Sequence, residues 1–99
     1  MVEVKWTRQA IGDVDSIAKY IATDSIKYAE IQVNRFFESA QILYNQPKAG
    51  RIVPEYNKVS LREIIIGNYR LVYKIVSAHR IDILTVHHSA RILKLRVSK

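Results

Sequence analysis

The feature that most constrains this chain is a change of hydrophobic period near its middle. Ile26, Ala29, Val33, Phe36, Ala40 and Leu43 recur at steps of three and four, with Phe37 and Tyr44 broadening the stripe. That spacing predicts one apolar face on a helix of about five turns, ended by Pro47. From Val59 onward the period is two. Val59 to Ile66 is rich in Ile and Val, Gly67-Asn68 is a tight-turn dipeptide, and Tyr69 to Val76 is a second strand. Ser77-Ala78-His79 turns the chain into a third strand, from Arg80 to about His87. Helical spacing first and strand spacing afterwards excludes a regular alternation of strand and helix and predicts an α+β fold.

The first quarter completes the pattern. Val2, Val4 and Trp6 alternate with Glu3 and Lys5, a short strand with one buried face that includes Trp6. Thr7 suits an N-cap, and Ile11, Val14, Ala18 and Ile21, widened by Ile17, mark an amphipathic helix from Arg8 to about Thr23. Arg8, Asp13, Asp15 and Lys19 are expected on its wet side. Asp24-Ser25 can cap the longer helix, and so short a connector predicts a helical hairpin. Tyr20, Tyr28 and Tyr44 lie on or beside the stripes and are expected to pack. Pro47 to Asn57 reads as loop, with a short extended piece at Arg51-Ile52-Val53 before Pro54. The expected order is β-α-α-β-β-β in a single domain of 99 residues. The helical hairpin is expected on one face of an antiparallel twisted sheet, with the first strand at an edge or beside the last.

Strand alternation then sorts the middle strand of the meander. Tyr69, Leu71, Tyr73 and Ile75 share the face expected to meet the helices, and Arg70, Val72, Lys74 and Val76 share the other. Arg70 and Lys74 are therefore expected to project from an open face, with the Arg70 guanidinium free to meet another molecule. A charge on a central strand is costly without a partner, a ligand or water.

Composition narrows the function classes. With no cysteine, disulfides, thiolate metal sites and cysteine nucleophiles are excluded. No apolar run approaches the roughly 20 residues of a membrane span, and the N-terminus lacks a signal-like apolar stretch, so a cytoplasmic location is expected. Sixteen Lys and Arg against nine Asp and Glu give +7, a field that attracts nucleic acid or an acidic protein segment. No cofactor is implied. Metal binding by His79, His87 and His88 is disfavoured, because neighbouring strand residues face opposite ways and His79 falls in an exposed turn.

Three stretches carry a resemblance. They are Gly50-Arg51-Ile52-Val53-Pro54-Glu55, then Leu61-Arg62-Glu63-Ile64-Ile65-Ile66-Gly67-Asn68-Tyr69-Arg70-Leu71-Val72-Tyr73, then Ile81 through Val86-His87-His88-Ser89-Ala90-Arg91. With the opening strand, Trp6-Thr7 and the helix through Tyr20-Ile21, they resemble the RelE/ParE toxin superfamily over essentially the whole chain. The resemblance implies the toxin of a bacterial type II toxin–antitoxin, or plasmid-stabilisation, system. Such a toxin is neutralised by a cognate antitoxin laid over its basic surface, in a hetero-oligomer. RelE-type members cut mRNA in the ribosome, whereas ParE-type members inhibit DNA gyrase without chemistry of their own.

Two endonuclease patterns can be tested against the residues. Metal-free RNA cleavage needs a base for the 2′-hydroxyl, a cation on the phosphate and a proton donor for the leaving oxygen. The lysine positions of the RelE pattern hold Leu61 and Glu63 here, and no Tyr follows Ser89. A YoeB-type set would use Glu55 as base, Arg70 on the phosphate and His88, or its neighbour His87, as acid. Arg62-Glu63-Ile64-Ile65 and Val86-His87-His88-Ser89-Ala90-Arg91 look closer to the ParE branch. That resemblance implies an antitoxin- or target-binding surface of Arg51, Arg62, Arg70, Lys74, His87 and Arg91. An inactive toxin that only binds its antitoxin is a third reading. The basic tail, with Arg91, Lys94, Arg96 and Lys99 among Ile92, Leu93, Leu95 and Val97, reads as a last strand or a partner-meeting segment.

Overall fold

The computed structural model describes residues 2–90; the basic tail expected to form a last strand or meet a partner lies outside the described residues, and Arg91 with it. The elements are β1 (Glu3–Trp6), α1 (Arg8–Ala22), α2 (Ile26–Gln41) followed by a 3-10 turn at Ile42–Tyr44, β2 (Arg51–Ile52), β3 (Leu61–Ile66), β4 (Tyr69–Ser77) and β5 (Arg80–His88). They form one five-stranded sheet in the order β1-β5-β4-β3-β2. Its pairs are antiparallel except for β1 beside β5, which is parallel. The short extended piece expected near Arg51 is thus an edge strand, and the first strand takes the opposite edge, next to the last.

Both helices start as their sequences dictate. The Thr7 hydroxyl accepts from the Ala10 N–H, and the Ser25 hydroxyl accepts from the Tyr28 N–H, each satisfying a donor that the first helical turn leaves open. Thr7 also donates to the Ile83 carbonyl at 2.7 Å, so the cap of α1 is fixed to β5. Helical geometry lapses at Gln41, before Pro47, through the 3-10 turn.

The core confirms the expected face. Val4, Ala10, Val14, Phe36, Ala40 and Leu43 pack against Ile66, Leu71, Tyr73, Ile81, Ile83 and Val86. Trp6 and Tyr44 join this cluster at its margin, and Phe36 meets Tyr69 edge-on at 5.4 Å. Tyr20 and Tyr28, expected to pack, are instead exposed, as is Ile26 at the start of the stripe. Asp13 is another correction. It is drawn from the wet side of α1 to β5, where it accepts from the Thr85 hydroxyl and from the Val86 N–H. The physical reason is local. β1 pairs with β5 only as far as Ile83, so the Val86 N–H needs another acceptor.

The helix-distal face is less open than expected. Residues 53–57 form a strap across it: the Val53 carbonyl accepts from the Tyr56 and Asn57 N–H groups, and Asn57 closes the turn at φ 49°. Beneath this strap Val53, Leu61 and Val72 are buried in a second cluster, with Tyr56 and Leu84 packed against it.

Candidate functional site

The hairpin register of β3 and β4 builds the site. Gly67 has φ +60° and Asn68 does not share its positive φ, the pattern of a two-residue turn that needs glycine first. That turn sets Ile66 opposite Tyr69, Ile65 opposite Arg70 and Glu63 opposite Val72. Leu61, Glu63 and Ile65 therefore share the helix-distal face with Arg70, Val72 and Lys74. On the other side of β4, His87 stands opposite Arg70 and Asp82 opposite Lys74.

Arg70 does lie on the face away from the helices, but its guanidinium is not free. Its side chain is 6% exposed. Nε donates to Glu63 at 2.6 Å, while the two Nη atoms donate to the two oxygens of Glu55 at 2.8 and 2.7 Å. The other Glu63 oxygen accepts from Arg51 Nε at 2.6 Å. Glu63 is wholly buried, and Arg51 reaches in from the edge strand with 60% of its side chain in solvent. Two carboxylates and two guanidiniums thus form a neutral chain of ion pairs. The Glu55 hydrogen bond, more than the Glu63 contacts, pushes the Arg70 pKa upward and outweighs burial, so Arg70 is cationic throughout the accessible pH range. A buried Arg70 with one partner removed would be strongly unfavourable, which is why the sequence supplies two.

The remaining expected site residues do not converge on Arg70. His88 stands opposite Tyr69, on the helix side of the sheet, with its ring 5.8 Å from the Tyr69 ring. The set of Glu55, Arg70 and His88 is therefore split by the sheet, because successive strand residues face opposite ways. His87 shares the Arg70 face. Arg62 also points to the helix side, where Nε donates to the Val59 carbonyl and Nη1 to those of Gly50 and Lys48. It clamps the loop before β2. Lys74 is exposed at the far end of the face, beyond the strap.

Two contributors were missed in the sequence. Glu63 had been noted only as standing where a lysine would be, yet the Gly67-Asn68 turn fixes a register that puts it diagonally across from Arg70. Gly50 was noted only as part of a resemblance. Its N–H donates to the Tyr73 hydroxyl, which donates to the Pro47 carbonyl at 2.8 Å. A Cβ there would stand 2.6 Å from the Glu63 carbonyl oxygen and 2.8 Å from Tyr73. Burial raises the Tyr73 pKa above the usual phenol value, against the opposing pull of the Gly50 N–H and of Arg62.

Among the described residues, no three His, Asp or Glu side chains gather as a metal ion would require, and no helix is long and apolar enough to cross a membrane. Comparison with known proteins points the same way throughout. The family described as ParE toxin of type II toxin–antitoxin system, parDE, matches residues 4–93. The solved chromosomal ParDE toxin–antitoxin system of P. aeruginosa contains a chain similar to this one, with TM-score 0.73 and 22% identity. That match covers 89% of this chain and 96% of the other. The toxin–antitoxin complex RelBE2 of Mycobacterium tuberculosis contains another, with TM-score 0.62 and 23% identity, covering 88% and 96%. At these identities the two structures establish the shared fold. Among curated proteins, none matches the chain.

Proposed function

The chain belongs to the ParE toxin family of type II toxin–antitoxin systems, and from that premise we propose that it acts in the cytoplasm on DNA gyrase, by contact between proteins and without chemistry of its own. A cognate antitoxin neutralises it in a hetero-oligomer. The observation that carries this reading is the state of Arg70. An endonuclease of this superfamily would need that cation for a phosphate, and here Glu55 and Glu63 already neutralise it. A phosphate entering the site would meet two carboxylates. The other parts of a cleavage centre are equally ill-placed: Leu61 and Glu63 stand where lysines would be, and His88 lies across the sheet from Arg70.

The surface left for a partner is the rim of the helix-distal face, where Arg51 and Lys74 are exposed, together with the basic tail. The +7 charge suits an antitoxin whose toxin-binding segment is acidic. Its association should weaken as salt rises, and an affinity unchanged between low and high salt would contradict that complementarity.

Purified toxin added to gyrase and relaxed plasmid should block supercoiling in proportion to its concentration. Normal supercoiling at excess toxin would reject the reading. One observation favours a ribonuclease as the second possibility: Glu55, Arg70 and His87 share a face, with His87 opposite Arg70. For that reading Glu55 would have to release Arg70 before a phosphate could bind.

A further inference from the structure

The two carboxylates on Arg70 differ in kind. Glu63 belongs to the adjacent strand, has no exposed side-chain surface, and holds Nε. Glu55 belongs to the strap, keeps 25% of its side chain in solvent, and grips both Nη atoms. Removing Glu63 would leave buried charge uncompensated. Withdrawing Glu55 would not, because Glu63 continues to pair with the guanidinium while the Nη edge becomes accessible from the strap side. Only one side chain has to leave, since Val53 and Tyr56 keep the strap packed on Leu61 and Val72.

The geometry points to the Nη edge of Arg70 as an exchangeable carboxylate site, filled by Glu55 in the free chain and by an Asp or Glu side chain of a protein partner in the complex. The assignment deepens the proposed function and rests on the reading of this chain as a protein-binding toxin. Three features select a carboxylate. Glu55 already holds the site in a two-pronged arrangement that matches the planar fork of Arg. Exchange of one carboxylate for another leaves the net charge of the cluster unchanged, whereas a phosphate dianion would add charge beside buried Glu63. Finally, Arg51 stands at the rim with its outer surface in water, placed to attract an acidic segment on approach.

The test is a titration of the full chain with sodium acetate, and in parallel with inorganic phosphate, at constant ionic strength set with chloride. Binding is read from the Arg70 Nε–H resonance in the wild type, Glu55→Ala and Glu55→Gln. Glu55→Ala should bind acetate at least about tenfold more tightly than the wild type, because the internal competitor is gone, and acetate should raise its melting temperature selectively. Glu55→Gln, which keeps the shape of the side chain, should also bind acetate more tightly than the wild type, so the test survives if the alanine variant folds poorly. Equal acetate affinity in wild type and variants, or no response at Arg70, would overturn the assignment. Tighter binding of phosphate than of acetate would overturn its carboxylate selectivity. Neither titration involves gyrase or antitoxin, so a failure here leaves the supercoiling test standing on its own.

Discussion

Glu63 and Glu55 contact the same guanidinium, yet they should not contribute equally to stability. Glu63→Ala removes a fully buried carboxylate shared by Arg70 and Arg51. Breaking a buried pair of this kind costs about 3–5 kcal/mol. Glu55→Ala removes a partly solvated partner and leaves Arg70 paired, so urea denaturation should show a clearly smaller loss. Equal losses would contradict the division of roles between them. Tyr73 makes a second residue-level test. Its hydroxyl serves a buried Gly50 N–H and the Pro47 carbonyl, so Tyr73→Phe should cost about 1–3 kcal/mol by orphaning them. Burial also raises its pKa, which means the folded state keeps the phenol proton to higher pH than the unfolded state does. The stability tied to this proton is whole below the unfolded value of about 10 and is lost as pH rises through the folded one. Melting curves taken upward from pH 9 should show a component of alkaline loss that Tyr73→Phe lacks. An identical decline in the variant would remove Tyr73 from the account.

At the scale of elements, the loop from Pro47 to β2 is fixed by three convergent contacts: Tyr73 through its hydroxyl, Arg62 through the carbonyls of Lys48 and Gly50, and the bare Cα of Gly50 against β3. Gly50→Ala would press a methyl group into the Glu63 carbonyl, which is backbone and cannot swing away. A loss of about 1–3 kcal/mol is expected, with β2 detaching first, visible as lost hydrogen-exchange protection at the Val53 amide. Unchanged protection and stability would show that the loop can yield. This part of the fold was hard to read in the sequence because loop packing leaves no periodic trace. The regular elements were legible for the opposite reason. Thr7 and Ser25 announced the helix starts, and the alternation in β4 sorted Tyr69, Leu71, Tyr73 and Ile75 to the helix side. Asp13 was misread because helical periodicity gives the face of a residue and not the unpaired strand N–H that it meets across the interface.

For the whole molecule, the sequence disclosed the layer order and the face on which Arg70 lies, but not its neutralisation. Pairing across β3 and β4 could have been derived from the Gly67-Asn68 turn; the reach of Glu55 could not, since it depends on how the 53–57 strap folds over the sheet. The consequence concerns function. A +7 chain can draw in RNA as readily as protein, so charge alone leaves both targets open, and the carboxylates around one arginine carry the distinction. Primer extension on ribosome-bound mRNA, at toxin concentrations that arrest growth, tests this directly. Full-length message throughout is the expected result. Cuts at the ribosomal A site that disappear with Arg70→Ala would contradict it.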